Sequence, residues 1–376
     1  MTDAVEVHAG ALVIDGHADT PQRFVDEGWE FTGALDGGML SLEAARAGGL
    51  GAEFFAIWAE PGQWKERYAH RTLALIDGVL EQVRRHPAEL ALCCSAEEIV
   101  AAHAAKKFAV LMGIEGGHSI ENDLGLLRDY YRLGVRYMTL TWANTNEWAD
   151  SSGDLDDETV VHHGGLTAFG REVVLEMNRL GMMVDVSHVS DACFWQVLEV
   201  SRVPVIASHS SARALASAER NMTDEMLRAV AANGGVVMVN FYPAFLDDAW
   251  REAWIALRPE RDRARATLTA KYGKDVPYTV LSRVEKELAA RLPRVPFATL
   301  IDHIDHVAKV AGIAHVGIGT DFDGIQALPG GIDSAADLWK VTAALMERGY
   351  SAEEMRMLLG GNLLRVFGAV AAGAGC

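Results

Sequence analysis

The sequence predicts an α/β protein built on a (β/α)8 barrel of the TIM type. Three observations support this fold: eight short apolar runs recur along the chain, segments with the period of a helix lie between them, and most runs end in polar residues. Near-continuous apolar runs are typical of parallel strands that are covered on both faces. Eight such strands alternating with helices predict a barrel, which carries its functional residues at the C-terminal ends of its strands.

The apolar runs predict eight strands, and the segments of helical period between them predict six helices. The predicted strands are residues 12–19, 49–60, 108–117, 135–142, 182–188, 203–210, 234–242 and 315–324. The predicted helices are residues 73–85, 126–133, 170–180, 190–200, 223–232 and 297–311. Local signals mark the ends of three of these helices, because Ser190 and Thr223 are good N-caps and Gly181 is a good C-cap.

Two stretches interrupt the alternation. Residues 23–47, after the first strand, have no clear period and contain a turn at Gly37-Gly38. Residues 243–296, after the seventh strand, are long, charged and helical in composition. We therefore predict a single domain over residues 1–376 with a helical insertion at about 243–296. The insertion is expected to be either a lid or substrate wall at the C-terminal face of the barrel, or a solvated excursion.

The charge of the chain argues against two classes of partner. The 376 residues include 34 Lys and Arg against 52 Asp and Glu, which gives a formal net charge of −18. Nonspecific nucleic-acid binding needs a basic face, and docking on anionic membranes also needs positive charge. No apolar run approaches the roughly 20 residues of a membrane span. We expect a soluble enzyme with no nucleic-acid partner and no membrane partner.

Cysteine usage indicates a reducing compartment. The four cysteines, Cys93, Cys94, Cys193 and Cys376, form no CxxC pair, and two of them are adjacent, which seldom suits a structural disulfide. The N-terminus is acidic and lacks a basic region followed by an apolar core, so no secretory signal is predicted. We expect a cytoplasmic protein.

Polar residues collect at the ends of the predicted strands. The first strand ends in His17 and Asp19, which project to the same side because residues i and i+2 of a strand do so. Four other strands end in Glu115, His188, His209 and Asp321. Each of these alone would be a hydrogen-bonded core histidine or a helix-capping carboxylate. Six together would be costly to desolvate, and a metal centre would explain why the cost is tolerated.

Three histidines and three carboxylates suit two metal ions. Each ion needs about three protein ligands and an open position for water. Glu115 is the predicted bridge, because a carboxylate has two oxygens. The ligands that complete the two sites are predicted to be His17 with Asp19, and His188 with His209. Two metals about 3.5–4 Å apart would clamp a hydroxide and polarise a carbonyl.

Asp321 is left over from this assignment and is predicted to be the acid–base group. It would take the proton from the bridging water and return it to the leaving amine.

Eight motifs lie in order between residues 14 and 367: IDGHAD, GIEGGHSI, VSHVSD, SHSSARAL, ERNMTDEML, VVMVNFY, GIGTDFDG and GGNLLRVF. On these motifs the chain resembles the renal (membrane) dipeptidase family of zinc peptidases. The resemblance implies a barrel of the metal-dependent hydrolase type, two Zn2+ per chain with Glu115 bridging, and a homodimer. It also implies hydrolysis of dipeptides, often with tolerance of a D-residue at the C-terminal position.

The resemblance also assigns roles to single residues. His17, Asp19, Glu115, His188 and His209 match the zinc ligands, Asp321 matches the catalytic aspartate, and Arg220 and Asp321 match substrate-binding positions. By position alone Arg220 would be a surface residue before the helix at Thr223, and only the motif assigns it to the substrate. Tyr242, at the end of the seventh strand, is either a donor to the substrate or an aromatic residue of the rim.

The chain departs from the family pattern after the fourth predicted strand. Family members usually carry a histidine in the sequence LTH, which binds the substrate carbonyl, whereas this chain has Trp142 at that position. Trp142 can donate one hydrogen bond but cannot be cationic, and Asn144 or Asn146 could supply the donor instead. Loss of an oxyanion donor can cost about 10²–10³ in rate, so the change concerns the substrate more than the metals. The nearby His162 and His163 are predicted to be a solvated pair.

Three functions are compatible with these residues. The first is a zinc-dependent dipeptidase that works by attack of a metal-bridging hydroxide on the peptide bond. The second is a related amide, N-acyl amino acid or lactone hydrolase on the same binuclear site, because Trp142 replaces the usual substrate-binding histidine. The third is a non-catalytic metal-binding or structural protein that kept the barrel and lost the chemistry, and the intact set of six strand-end residues argues against it.

Overall fold

Nine parallel strands form one sheet in the structure, which is a computed structural model that describes residues 3–273 and 276–375. The strands are β1 Val13–Ala18, β2 Leu50–Trp58, β3 Leu90–Leu92, β4 Phe108–Glu115, β5 Val135–Thr139, β6 Met183–Asp185, β7 Ile206–Ala207, β8 Val236–Val239 and β9 Val316–Ile318. Eight of them close into a ring, because β1 pairs with both β2 and β9, and β2 pairs with β4. The predicted (β/α)8 barrel is therefore confirmed.

The ninth strand, β3, was not predicted. It pairs with residues 108–110 of β4, and β5 pairs with residues 112–115 of the same strand. Since β2 pairs along residues 109–115 of β4, β3 and β5 share the opposite edge of that strand. A strand of three residues is too short to give a period in the sequence.

Helices surround the ring. The helices up to the eighth strand are α1 Ala4–Ala9, α2 Pro21–Asp26, α3 Leu42–Ala47, α4 Tyr68–Arg85, α5 Ala96–Ala104, α6 Leu124–Arg132, α7 Ala168–Leu180, α8 Asp191–Val200 and α9 Asp224–Asn233. After β8 follow α10 Pro243–Leu246, α11 Asp248–Ala256, α12 Arg258–Tyr272, α13 Tyr278–Ala289, α14 Phe297–Ala311, α15 Trp339–Glu347, α16 Ala352–Arg356 and α17 Asn362–Ala372. The segment 23–47, which had no clear period, contains most of α2 and all of α3.

The predicted helix caps are confirmed. The side chain of Ser190 accepts a hydrogen bond from the backbone of Cys193, and that of Thr223 accepts one from Met226. Gly181 ends α7 with a left-handed φ of 79°, a conformation that favours glycine. The side chains of Ser190 and Thr223 thus satisfy N–H groups that the first turn of a helix leaves unpaired.

The eight predicted strands end earlier than their apolar runs, and after β7 and β9 a buried aspartate accepts a following backbone N–H. The run 203–210 contributes only Ile206–Ala207 to the ladder. The next N–H, that of Ser208, donates to Asp185 Oδ1 at 2.8 Å. In the same way the N–H of Thr320 donates to Asp15 Oδ1 at 2.8 Å. The residues beyond these points leave the sheet and turn toward the barrel mouth.

The apolar core has two parts, one on each side of the sheet. Side chains that alternate along the strands fill the barrel interior, among them Ile14, Phe54, Leu111 and Met238. The interior cluster also includes Phe367 of α17, so the last helix covers one end of the barrel. The larger cluster lies between the strands and the surrounding helices.

Two of the four helices that the structure describes in the insertion after β8, α12 and α13, differ in their contacts with the barrel. Within the described residues, α13 docks on the barrel mouth: Tyr278 Oη donates to the carbonyl of Gly324 at 3.1 Å, and Arg283 pairs with Glu27 at 2.8 Å. By contrast α12 has no buried residue. The two predicted alternatives thus each describe a part of the insertion, with α13 as a wall and α12 as a solvated excursion.

One continuous helical stretch, Ala352–Ala372, reaches the length and mean hydropathy of a membrane-crossing segment, but half of its most apolar window is buried inside the molecule. That burial is typical of a core helix, and it agrees with the packing of Phe367 in the barrel interior. The three cysteines Cys93, Cys94 and Cys193 are free thiols, and Cys376 lies outside the described residues.

Candidate metal centre and substrate cavity

The structure brings the six strand-end residues together at the barrel mouth. Glu115 lies at the middle of the cluster: its Oε2 is 3.6 Å from His17 Nε2, and its Oε1 is 2.9 Å from His188 Nε2 and 3.4 Å from His209 Nε2. His17 Nε2 is also 3.5 Å from Asp19 Oδ2. One carboxylate thus presents its two oxygens to two different groups of imidazoles, which is the geometry that a bridging ligand requires.

Two members of the cluster adopt a backbone conformation that is uncommon outside glycine. His188 has a φ of 68° and Asp321 a φ of 64°. Each lies three residues beyond the end of its strand, β6 or β9, and the left-handed conformation turns its side chain away from the direction that an extended backbone would give it. Such conformations cost free energy and are concentrated at functional sites.

Hydrogen bonds around His17 fix which of its ring nitrogens is free. Its Nδ1 lies 2.8 Å from Tyr137 Oη, and that hydroxyl donates its one hydrogen to the carbonyl of Gly16 at 3.1 Å. The oxygen of Tyr137 must therefore accept a hydrogen from Nδ1. In the neutral ring Nε2 then carries a lone pair, and this buried atom has no hydrogen-bond partner.

The same logic applies to His209. Its Nδ1 lies 2.7 Å from Ser208 Oγ, and the Ser208 hydroxyl donates to a carboxylate oxygen of Asp185, which only accepts. His209 Nδ1 is therefore the donor, and its Nε2 faces Glu115 and His188 with a lone pair. Partners of this kind orient the histidine ligands of metal sites.

The carboxyl groups are crowded and desolvated. Burial raises the pKa of Asp19 to about 6, and the neighbouring Glu115 adds to this effect. Burial also raises the pKa of Asp321 to about 8. His17 opposes this shift, whereas Asp19 and Glu115 add to it. Each raised pKa reflects first the cost of burying a carboxylate and then the repulsion between neighbouring carboxylates.

The three imidazoles differ in the direction in which the site shifts their pKa values. Burial lowers the pKa of His188 to about 4 and that of His209 well below its usual range, so both rings are neutral. Burial also opposes a charge on His17, but the influence of Tyr137 and Glu115 outweighs it and raises the pKa of His17 well above its usual range. The position beside His17 Nε2 thus favours a positive charge.

This donor set fits divalent metal ions. Lone pairs on imidazole nitrogens and oxygens of crowded carboxylates are the ligands of zinc and related metals. Two sets of three donor atoms lie within 4.8 Å of one another: His17 with Glu115 and His209, and His17 with Asp19 and Asp321. Asp321 therefore offers an oxygen to the same space as two predicted ligands. The predicted division of ligands between two ions stays a prediction.

Asp321 is held at the barrel mouth by two contacts. Asn240 Nδ2 donates to Asp321 Oδ2 at 2.9 Å, and the Asp321 N–H donates to the carbonyl of His17 at 3.0 Å. Gly324 packs against the same group so closely that a Cβ at this position would lie 2.5 Å from Asp321 Oδ1 and 2.1 Å from Asp19 Oδ2. A glycine is required there by the close approach of the backbone to the carboxylates.

Arg220 lies beside the cluster, below the loop after β7. Its Nη1 donates to Ser210 Oγ at 2.6 Å and its Nη2 to the carbonyl of His209 at 2.7 Å, while its buried Nε has no partner. Burial lowers the pKa of Arg220 to about 10, so the guanidinium is still charged at neutral pH. Its predicted role in substrate binding stays a prediction.

A cavity lies over the cluster. Asp19, Glu115, His188 and Asp321 contribute to its surface. The remaining lining residues are Trp58, Trp142, Ala143, Tyr242, Phe245, Tyr278, Gly324, Ile325 and Gln326. Trp142, the residue that departs from the family pattern, thus faces the same space as the candidate ligands, with its ring centroid 6.5 Å from that of His188.

The other polar residues after β5 do not line the cavity. The amide of Asn146 donates to the carbonyl of Leu140 and accepts from the N–H groups of Trp148 and Ala149. Asn146 therefore builds its own loop. Asn144 is not among the residues that line the cavity. His162 and His163 are both exposed, which agrees with the predicted solvated pair. His163 Nε2 also lies 2.9 Å from the carbonyl of Asn146.

Five residues that hold or cover the site were not predicted as functional. Tyr137, Asp185, Ser208 and Asn240 orient the predicted site residues, and Tyr278 covers them. A signal existed for Asp185, because a carboxylate inside an apolar strand must have buried partners. No signal existed for Tyr278, which reaches the cavity from a distant helix.

Comparisons with known proteins agree with this geometry. The family model described as membrane dipeptidase (peptidase family M19) matches residues 1–374. Human dipeptidase 3 is 33% identical over 363 residues, and rat dipeptidase 3 is 34% identical over 331 residues. The alignments cover 94% and 88% of this chain but only 64% and 58% of those relatives, so the chain spans about three fifths of their length.

Solved structures are similar over nearly the whole chain. The probable dipeptidase PvdM from Pseudomonas aeruginosa has a TM-score of 0.83 and 28% identity, covering 99% of this chain and 98% of that one. A metallopeptidase from Rhodobacter sphaeroides, solved with a phosphinate mimic of the dipeptide L-Ala-D-Ala, has a TM-score of 0.76 and 25% identity, covering 96% of this chain and 99% of that one. With the family model matching nearly every residue, the chain belongs to the membrane dipeptidase family, peptidase family M19.

Proposed function

We propose that this protein is a zinc-dependent dipeptidase that holds two Zn2+ per chain, with Glu115 shared between them. The observation that carries the proposal is the position of the Glu115 carboxylate, whose two oxygens face His17 on one side and His188 with His209 on the other. His17 and Asp19 would complete one ion, and His188 and His209 the other. Metal ions bound there would activate a water molecule and polarise the carbonyl of the scissile bond.

Asp321 is the residue that we propose for proton transfer. Its carboxyl group lies on the cavity surface and is oriented by Asn240 from the side. From this position the carboxylate accepts a proton from the attacking water and delivers it to the nitrogen of the leaving amine. The water oxygen would first add to the carbonyl carbon, and the peptide C–N bond would then break as the nitrogen receives the proton.

We propose that Arg220, which lies beside the cluster but outside the lining of the cavity, binds an oxygen of the substrate through its guanidinium, whose Nε is buried without a partner. The substrate class is supported by the family and by the relative from R. sphaeroides, which was solved with a mimic of L-Ala-D-Ala. On this basis we propose dipeptides as substrates, including those with a D-residue at the C-terminal position.

A second candidate function is hydrolysis of a related amide, an N-acyl amino acid or a lactone. The observation that favours it is Trp142, which lines the cavity where family members usually have a histidine. An indole donates one hydrogen bond and carries no positive charge, so it stabilises an oxyanion less than a protonated imidazole does.

The test is turnover of a dipeptide library by zinc-loaded protein, with L- and D-residues at the C-terminal position, together with N-acyl amino acids and lactones. Asp321→Asn keeps the size of the side chain and removes the proton acceptor. We expect it to lower kcat by about 10²–10⁴ while circular dichroism and zinc content stay unchanged.

Asp333→Asn is the matched control, because Asp333 is exposed and pairs only with the surface residue Arg294. The control should retain full activity. Full activity in Asp321→Asn would contradict the proton-transfer role, and turnover of acyl or lactone substrates alone would favour the second candidate function.

For location and assembly we propose a cytoplasmic homodimer that binds neither nucleic acid nor a membrane surface. The location is supported by the three free thiols at Cys93, Cys94 and Cys193. The dimer is supported by the family resemblance, and the expected lack of nucleic-acid and membrane partners by the net charge of −18. Cell fractionation and sedimentation velocity of the purified protein test these proposals.

A further inference from the structure

The walls of the cavity above the candidate metal centre are mainly aromatic. Five rings line it, and they come from four separate parts of the chain: the ends of β2 and β5, the start of the segment after β8, and the first residue of α13. The five residues are Trp58, Trp142, Tyr242, Phe245 and Tyr278. Rings gathered from such distant parts of the sequence form a built surface.

The rings contact one another in two groups. The centroid of Trp58 is 4.8 Å from that of Trp142 and 5.0 Å from that of Tyr278. The centroids of Tyr242 and Phe245 are 5.0 Å apart at an interplanar angle of 87°. These are the tilted and edge-to-face arrangements that aromatic pairs prefer, and they leave ring faces and edges for a guest.

The aromatic surface is continuous with the reacting centre. Trp142 lies beside His188, and Tyr278 donates its hydroxyl to Gly324, the residue that touches the carboxylates of Asp19 and Asp321. A substrate whose scissile bond lies over the carboxylates therefore places one side chain against these rings.

The charge of the lining excludes some side chains. Among the described residues that line the cavity, none is Lys or Arg, and beyond the candidate site the lining has only aromatic, small or uncharged residues such as Ala143, Ile325 and Gln326. An acidic side chain would lose its hydration there without gaining a partner.

We propose, on the basis of the dipeptidase function above, that the cavity selects dipeptides with one aromatic or large aliphatic side chain, and that Trp142 and Tyr278 determine this preference. Burying a side chain the size of Phe against these rings is expected to favour such a dipeptide over Ala-Ala by about tenfold or more in kcat/KM. A dipeptide with Glu at the same position is expected to react more slowly than Ala-Ala.

The experiment compares kcat/KM for dipeptides in which one residue is Ala and the other is Phe, Leu, Ala or Glu, with the variable residue at either position. Trp142→Ala and Tyr278→Ala each remove one ring, and Tyr278→Phe keeps the ring but removes the hydrogen bond to Gly324. Trp195→Ala is the matched control, because Trp195 lies on α8 and is 42% exposed, outside the cavity lining.

We expect each alanine variant to lower the Phe-to-Ala ratio of kcat/KM by about fivefold or more, and Tyr278→Phe and Trp195→Ala to change it by less than about twofold. Thermal denaturation identifies any variant that does not fold. If one of the two alanine variants fails to fold, the other alanine variant tests the proposal. Equal kcat/KM for Phe and Ala dipeptides in the wild type would overturn the proposal, as would an unchanged ratio in both alanine variants.

Calorimetric binding of the same dipeptides to zinc-loaded Asp321→Asn separates this proposal from the proposed function. If the wild type cleaves no dipeptide but the variant binds Phe dipeptides more tightly than Ala-Ala, the function is wrong and the selectivity of the cavity stands. If dipeptides are cleaved without any side-chain preference, the function stands and the selectivity is refuted.

Discussion

The imidazole of His17 depends on one phenol for its tautomer. The Tyr137 hydroxyl donates its single hydrogen to the carbonyl of Gly16, so Nδ1 of His17 must be a donor to the Tyr137 oxygen. The lone pair of Nε2 is thereby directed to the space between Asp19 and Glu115. A residue that does not line the cavity thus decides whether the lone pair of His17 Nε2 is available to a metal ion.

Tyr137→Phe is predicted to weaken zinc binding by about 10–100-fold, because the ring stays in place while the acceptor for His17 Nδ1 is lost. Competition with a chromophoric chelator measures the affinity. Tyr130→Phe is the matched control, since Tyr130 is also buried and donates to the carbonyl of Ser119 away from the cluster. Equal zinc affinities in the two variants would show that Tyr137 does not set the tautomer.

Gly324→Ala is predicted to disturb the site without unfolding the protein. The new Cβ would lie 2.1 Å from Asp19 Oδ2 and 2.5 Å from Asp321 Oδ1, so both carboxylates must move. We expect loss of zinc and a fall in kcat of about 10² or more, since small displacements of catalytic groups are costly. Gly368→Ala on α17, where a Cβ meets nothing within 4 Å, should leave zinc content and kcat unchanged.

At the scale of single residues, the candidate ligands could be predicted from the sequence, but the residues that orient them could not. His17 and Asp19 could be recognised because polar residues directly follow an apolar run. Tyr137 and Asn240 could not, because a tyrosine or asparagine within a predicted strand has many possible partners. Their roles depend on which strands are neighbours in the ring, which is a property of the tertiary structure.

Among the elements, α14 holds the loop after β7 through one histidine. His303 Nδ1 accepts from the N–H of Ala212 at 3.1 Å, and its Nε2 donates to the carbonyl of Leu246 at 3.1 Å. Both ring nitrogens are thus used in the neutral form. Burial lowers the pKa of His303 to about 4, while the bond to Leu246 opposes the shift.

This arrangement predicts a loss of stability in acid. Between the ordinary pKa of histidine near 6.5 and the folded value of about 4, the unfolded chain binds a proton that the folded chain excludes. The free energy of unfolding therefore falls as the pH falls through this range, by up to about 3 kcal/mol for this group. His303→Gln keeps one donor and one acceptor but does not titrate.

Urea unfolding at pH 7 and pH 5 measures the effect. The wild type should lose more stability between the two pH values than His303→Gln does. His103→Gln, which changes an exposed histidine of α5, should behave as the wild type. An identical pH dependence in His303→Gln would contradict the assignment.

Element prediction succeeded where the local pattern is strong. The caps at Ser190 and Thr223 could be located because capping depends on the side chain and the next few residues. The ends of the strands could not, because Asp15 and Asp185 replace ladder bonds from a neighbouring strand. The docking of α13 was also unpredictable, since its contacts with Glu27 and Gly324 join distant segments.

At the scale of the whole molecule, the proposed metal binding is expected to be coupled to folding. Three carboxylates and three imidazoles from β1, β4 and the ends of β6, β7 and β9 meet only in the closed ring. Zinc should therefore bind the folded form far better than the unfolded one, and stabilise it by about 2.7 kcal/mol at a free concentration of 100 times Kd.

Calorimetric unfolding with zinc and with a chelator tests this coupling. We expect Tm to rise with zinc until the sites are filled and to fall when the metal is removed. His188→Ala should show a smaller rise, because a ligand is missing. A Tm that does not depend on zinc would count against a metal centre in this cluster.

The barrel could be predicted as a whole because a closed parallel sheet repeats one pattern eight times, so that errors at single strand ends do not alter the topology. The contacts between side chains at the barrel mouth could not be predicted in the same way. Trp58 and Trp142 are 84 residues apart in the sequence, yet their rings are in contact.

Closure of the ring between β1 and β9 has a consequence for biosynthesis. Asp15 of β1 pairs with Ile318 of β9, so one edge of the first strand lacks its partner until about 300 further residues have been made. At ~5–20 residues per second this interval lasts roughly 15–60 s on the ribosome. During this time His17 and Asp19 have been synthesised but Asp321 has not, so the nascent chain cannot assemble the full site. Enzymatic competence is therefore expected to arise only after the segment that contains β9 and Asp321 has been made.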